Sequence, residues 1–595
     1  MEDSRIQPEQ KGFRALKQHL LILLSSLPPF GRAIFVLSFF VFLVASFVLL
    51  AKLNDRYLVL VPRHEGNLTE GIIGRPRFIN PIIAKSDADR DMSQLIYSGL
   101  MKATPAGELV PDLAAHYEVS PDGLVYTFTL RDGLVWHDGT PITSADVAFT
   151  IEKVRDGALA IKSPRRASWE GVNVTTPDPK TVVFTIKQPY VQFLENATMG
   201  IIPKHIWQHV PDEEFDVSYY NIEPIGSGPY RIERVVRDSD KGLPLYYDLV
   251  AFKRYPAGEP YITHLRIMFF GNSKELSQSY RDHTIDQMHT VAPALAQEIE
   301  KNGGHIERAP LPRVFGVYFN QGQQPILADK AVRKALATAI DKKQIVDEVL
   351  LGYGRTVDGP LPDVNTPENL TESNEAASTT AERIAKARAI LEGDGWVLNT
   401  ANIYQKLDKN KKKVALLELS ISLPDVGELK QAAKLVKNDW EKIGALVTLK
   451  VFDPSSFTSD ILSTRKYDVI FYGQVTGRNP DPFPYWHSSQ RNAPGLNITL
   501  YANKNVDKLL EAARKEQDEA ARALLLQKFS DTIKEDIPAV FIYSPDFLYA
   551  TGSNVQGMHT GLITTESERF LDINDWYVES ERVWKWFADR TGHVN

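Results

Sequence analysis

His205 and His209 stand four residues apart in Pro-Lys-His-Ile-Trp-Gln-His, a spacing that on a helix lets two imidazoles chelate one metal ion. No Glu sits beside the first His, so the His-Glu-x-x-His pattern of a zinc hydrolase is missing. Gly226-Ser227-Gly228 lacks the spacing of a nucleophile elbow, and neither a Walker loop nor a dinucleotide fingerprint occurs. Asp122-Gly123, Asp132-Gly133 and Asp138-Gly139 are read as tight turns, because both residue types tolerate positive φ, rather than as catalytic carboxylates. The chain has no Cys, which removes disulfides, thiolate zinc sites, a Cys nucleophile and an acylated lipoprotein anchor. Lys409, Lys411, Lys412 and Lys413 form a basic run that a solvated hairpin turn explains better than a nucleic-acid patch. No catalytic residue, metal or cofactor is therefore expected. What remains is the chemistry of binding.

Such chemistry must be positioned by a large scaffold. A chain of 595 residues exceeds one compact core, so two or three lobes are expected. It is 43% hydrophobic and 24% charged, ordinary for a globular protein, and its net charge of -7 argues against a nucleic-acid partner. The exception is Ala33–Ala51, 19 residues without a charge. A helix rising about 1.5 Å per residue would cross most of a roughly 30 Å hydrocarbon layer with it. Arg5, Lys11, Arg14, Lys17 and Arg32 precede it, so residues 1–32 are expected in the cytoplasm and everything after Lys52 outside. A cleavable signal has a shorter core, about 7–15 residues, and a small-x-small site. Here Ala51 follows Leu49, and an uncleaved anchor over 33–52 is favoured. Its uniform hydrophobicity disfavours a buried core helix.

Beyond the anchor, strands and helices mix without repeats. Tyr57–Pro62 reads as the first exported strand, and 124–130 (LVYTFTL) alternates as a strand does. Asp329 is placed to cap one helix, and Asp341 with Gln344 to open a second. Residues 427–443 put Leu429, Ala432, Ala433, Val436, Trp440 and Ile443 on one helical face, with Gly444 as the stop and the strand ALVTLKVF next. That alternation predicts α/β lobes. Residues 357–380 read as a polar, Pro-containing loop.

Several stretches resemble the family 5 extracellular solute-binding proteins, the oligopeptide, dipeptide and nickel receptor group. They are 121–151 (PDGLVYTFTLRDGLVWHDGTPITSADVAFTI), 225–231 (IGSGPYR), 316–362 with Asn320 and its Arg-x-Ala-Leu-x-x-Ala-Ile-Asp helix, and 473–482 (GQVTGRNPDP). Asn80-Pro81 and 382–396 agree as well, and the resemblance spans roughly 57–575. It implies an α/β, two-lobed periplasmic-binding-protein-like fold (type II, cluster C) with an extra domain in the first lobe, preceded here by one transmembrane helix. Mapped onto this chain, 56–98, 221–318 and 546–590 would form the first lobe, 99–220 the extra domain and 319–545 the second lobe. Relatives carry Pro-Lys-His-Ile-Trp without a metal, which weakens a metal role for His205. The resemblance also implies a binding receptor with no enzymatic activity. Its ligand would be a peptide or peptide-like solute held between lobes that close about hinges. Its partners would be a permease and ATPase subunits, with the membrane through the N-terminal helix and no nucleic acid. A sensor of the same fold, without import, is the alternative.

One position departs from the family's pattern. Peptide-binding relatives have an aspartate after Thr-Gly that pairs with the ligand's α-amine. Here Arg478 follows Thr476-Gly477, while Asp481 keeps the acidic position before Pro482. In 163–168 (SPRRAS), Arg165 stands where relatives often show a ligand-facing tyrosine. Either Arg478, with Arg165, forks an anionic or amine-free ligand, or Arg478 pairs with Asp481 or another residue and holds its loop. Tyr485 and Trp486 are candidate cleft walls, with core packing as the alternative for each. Asn80 and Tyr543 are further ligand-binding candidates.

Overall fold

The computed structural model describes residues 28–156, 163, 165–240, 242–361, 379–407, 414–493 and 495–588. The expected lysine run, most of the cytosolic tail and most of the 357–380 loop lie outside them. The described residues fall into two compact units, one within 1–63 and 579–595 and one within 64–578.

In the first unit, Pro29–Tyr57 is one helix of 29 residues, extending the apolar run at both ends. Its segment Pro29–Asn54 is long and apolar enough to cross a membrane. Strand Leu58–Pro62 follows at once and pairs antiparallel with Ser580–Trp584, from Leu58 opposite Trp584 to Pro62 opposite Ser580. The two strands form a sheet of their own.

The second unit is organised by a mixed twelve-stranded sheet running from Leu446–Phe452 at one edge to Tyr230–Arg237 at the other. Its halves share the 13-residue strand Ala539–Thr551. The strand's first part pairs with Arg313–Phe319, and its last part pairs with His305–Pro310. The chain therefore crosses between halves at Leu311–Pro312 and again near Ser544, whose hydroxyl donates to Leu311 O at 2.8 Å. Strand Arg313–Phe319 lies against Val469–Val475 in the second half.

Local signals explain much of this unit. Asp329 accepts a bond from Ala331 N and caps Lys330–Ala339, and Asp341 accepts from Gln344 N and caps Lys342–Val349. The amphipathic helix Gly427–Lys442 buries the face read from its spacing, and Gly444 follows at φ +90°. It links the parallel strands Glu418–Pro424 and Leu446–Phe452, a βαβ unit. Along Arg313–Phe319 the side chains alternate, with Val317 and Phe319 entering one core layer and Val314 and Tyr318 the other. The Gly-Ser-Gly-Pro-Tyr element packs against the end of helix Asp87–Ile96. Ser227 N and Gly228 N both donate to Ile96 O (3.0 and 2.8 Å), and a Cβ at Gly226 would stand 1.9 Å from that oxygen. The four-stranded sheet that holds Val125–Leu130 shares one continuous core with the first half.

Candidate functional site

The loop after strand Val469–Val475 is tied down before it reaches the site. Thr476 donates from its N–H and its hydroxyl to Pro312 O (2.8 and 2.9 Å), at the crossing between halves. Gly477 then turns at φ +77°, in the left-handed region that glycine tolerates best. That turn sends Arg478 into the first half of the unit, where its side chain is 4% exposed. Its Nη2 donates to Glu568 Oε2 at 2.6 Å, and its Nη1 faces Glu195 Oε2 at 3.4 Å. Arg478 is thus held by two carboxylates of the first half and not by Asp481.

Glu568 is itself well satisfied, accepting from Thr564 N and the Thr564 hydroxyl at 2.7 and 2.6 Å. Glu195 is not. Burial raises its carboxyl above the usual range, opposed by Arg478 and reinforced by Glu568. Its Oε1 has no partner among the described residues, and neither do Arg478 Nε, Tyr97 OH and Ser93 Oγ. All four groups line one cavity of about 250 Å³, built from the first half with Arg478 as the contribution of the second. Unmade hydrogen bonds on buried atoms are costly unless something fills the space.

Arg165 lines the same cavity. Its side chain is solvent-accessible and makes no ion pair among the described residues, although protein encloses it on most sides. That enclosure, with the like charge of Arg90, pulls its guanidinium below its ordinary value while Glu568 opposes them, and an arginine stays cationic regardless. Lys102 and Asp112 form another charged part of the wall. Burial raises the Asp112 carboxyl, and Lys102 works against that shift.

The other candidates lie elsewhere. Asp481 accepts two 3.0 Å bonds from Arg514 Nε, and the Arg514 guanidinium caps the Phe483 ring at 3.8 Å. The Tyr485 hydroxyl donates to Val475 O at 2.9 Å. Trp486 and Tyr543 are core residues on opposite faces of the sheet, because their strands and helices bury both faces. Trp486 packs with Tyr501, Phe529 and Phe541, and Tyr543 stacks on Phe315 at 5.1 Å. Asn80 is buried, donating to Asn221 Oδ1 and accepting from Ile82 N, each at 3.1 Å, so it builds a turn. His205 bonds Asp138 at 2.8 Å, and His209 lies beyond the short helix Lys204–Trp207. Arg165 and Arg478 are brought together, while Glu195 and Glu568 were not anticipated. They come from distant segments that carry no local signal.

The turn Glu566–Phe570 that presents Glu568 is anchored from behind by a buried ion cluster. Arg569 is fully buried and makes a two-pronged contact with Asp91 (2.9 and 2.8 Å) and a 3.0 Å bond to Glu70. His289 Nδ1 meets Glu566 at 3.1 Å, and its Nε2 lies 3.4 Å from Asp91. Burial and Arg569 push His289 down, but hydrogen bonds and charge from Asp91 and Glu566 outweigh them and hold it up at about 9. The result is a rigid backing for Glu568.

Residues 108–495 match the family described as bacterial extracellular solute-binding proteins, family 5 Middle. The chain belongs to that family. As a family 5 solute-binding protein it is a binding protein rather than an enzyme. Oligopeptide-binding protein AppA of Bacillus subtilis is 27% identical to this family 5 protein over 512 residues, covering 83% of this chain and 89% of AppA. The crystal structure of the ABC transporter substrate binding protein CtaP from Listeria monocytogenes superposes with a TM-score of 0.71 at 26% identity, covering 87% of this chain and 100% of CtaP. Bacillus subtilis AppA in complex with a nonapeptide gives 0.66 at 24% identity, covering 87% and 100%, and shares the fold.

Proposed function

We propose that this family 5 protein captures peptides or peptide-like solutes outside the cytoplasm and delivers them to an ABC permease. The names of AppA and CtaP support this reading. In it, Pro29–Asn54 spans the membrane with the N-terminus inside, and the two halves of the second unit close about the crossings at Leu311–Pro312 and Ser544.

The ligand is anionic or N-blocked. The observation that carries this is Arg165, a cavity guanidinium without an ion-pair partner among the described residues, beside Arg478 at the position where relatives hold an amine. Arg478 is neutralised by Glu195 and Glu568, so its part is to wall the cavity and offer Nε to a ligand oxygen. Arg165 supplies the free charge.

Thermal shift of a fragment lacking the N-terminal helix, against free-amine, N-acylated and acidic peptides, tests this directly. Stabilisation by acidic or acylated peptides, lost in Arg165→Ala, is the expected outcome. Glu195 favours a second reading, because its free Oε1 can accept from a ligand ammonium. Stabilisation by free-amine peptides that Glu195→Gln abolishes would establish that reading instead.

A further inference from the structure

The first unit holds a feature that solute capture does not use. Its two-stranded sheet leaves Leu60 (67%) and Trp584 (51%) exposed, and the short helix Lys585–Ala588 that follows leaves Trp586 (67%) exposed. Large apolar side chains clustered in this way mark a contact surface. Leu60 lies opposite Arg582 and Leu58 opposite Trp584, so one face of the pair carries Leu58, Leu60 and Trp584 together.

The height of this face along the membrane normal follows from one hydrogen bond. Trp584 Nε1 donates to Asn54 Oδ1 at 2.9 Å. Asn54 follows Ala51, the last residue of the uncharged run, by three positions, or about 4.5 Å of helix. The interfacial layer on each side of a bilayer is roughly 5–8 Å thick. The indole N–H is therefore pinned within that layer, where Trp is most favourably placed, its ring toward the acyl chains and its polar edge toward water. The exposed cations Lys52, Arg56, Arg582 and Lys585 each lie within two residues of Asn54 or Trp584 in the chain. They are suited to lipid phosphates, and their long stems can reach along an apolar surface.

We infer that the C-terminal strand Ser580–Trp584 and the turn after it, through Trp584, Trp586 and Leu60, lie in the headgroup layer of the outer leaflet and fasten the second end of the chain to the phospholipid membrane. The inference rests on Pro29–Asn54 being a membrane span. The occupant is lipid because the face is continuous with that helix, strand Leu58–Pro62 following Tyr57 directly.

The chain has no cysteine, so a single introduced thiol can carry a fluorophore. The full chain, reconstituted in phosphatidylcholine–phosphatidylglycerol vesicles, is labelled separately in Trp586→Cys, Phe40→Cys and Val217→Cys. Phe40 lies in the helix, and Val217 is a 78% exposed position of the other unit. Lipids brominated near the headgroup should quench the label at 586 more than lipids brominated deep in the chain. Iodide quenching at 586 should be several-fold weaker than at 217. Lipid quenching at 40 with full iodide quenching at 586 would overturn the inference and leave the span intact. Protection from iodide at 586 without lipid quenching would put the face against protein and overturn it too. Loss of lipid quenching at both 40 and 586 would refute the span and the inference together.

Discussion

Two clusters of the same residue types lie back to back across the turn Glu566–Phe570. On one side, Arg569, Asp91, Glu70 and His289 are sealed from solvent, Arg569 hydrogen-bonded to both carboxylates and His289 in ion-pair range of Asp91. On the other, Arg478, Glu195, Glu568 and Arg165 line a cavity, with Glu195 Oε1 and Arg478 Nε unmatched and Arg165 solvent-accessible. Adjacent residues serve the two sides, Glu568 facing the cavity and Arg569 facing the core. Buried charge is not itself a sign of function. A charged cluster with no room beside it is scaffold, and one with open valences on a cavity can take a ligand.

If that distinction is right, substitutions should rank by how completely their charge is sealed. Arg569→Met leaves Glu70 and Asp91 buried without their partner, and should cost about 3–5 kcal/mol in denaturant unfolding. A loss near that of a surface change would erase the contrast. His289 comes next. Its folded value of about 9 exceeds the ordinary value near 6.5, so its contribution is complete below about 6.5 and fades as pH rises through about 9. Stability should therefore fall over that window by an amount on the order of 3 kcal/mol, and His289→Gln should flatten the profile.

Arg478→Met removes the cation between Glu568 and Glu195, each of which keeps some contact with water. A loss of about 1–2 kcal/mol is expected, smaller because those carboxylates can recover solvent. Arg165→Ala should change stability by less than about 0.5 kcal/mol. It should nonetheless weaken anionic ligands about 10- to 100-fold, the worth of one charged hydrogen-bonding contact, as read by calorimetric titration. Equal effects of Arg165→Ala and Arg569→Met on folding would show that the cavity is scaffold too.

The scaffold was more legible in the sequence than the cavity. Helix Gly427–Lys442 announces its buried face by spacing, and Asp329 and Asp341 announce helix starts, because these are interactions between residues a few positions apart. The cavity has no such grammar. Glu195, Arg478 and Glu568 meet only after three distant segments fold, so no window of sequence holds them. Arg478 stood out because it interrupts the family's pattern. Trp486 and Tyr543 show the limit of local reading: an aromatic beside a ligand loop and an aromatic in a sheet core are the same letter, and both are buried here, on opposite faces of the sheet. The pairing of Leu58–Pro62 with Ser580–Trp584 joins nearly the whole length of the chain, out of reach of any local signal.

That pairing has a consequence for release. Arg63 N donates to Glu579 O at 2.9 Å, so the segments entering and leaving the body of residues 64–578 depart side by side. The two ends of the body are thus held together, so a cut in one connecting segment leaves it joined through the other and through the pairing of Leu58–Pro62 with Ser580–Trp584.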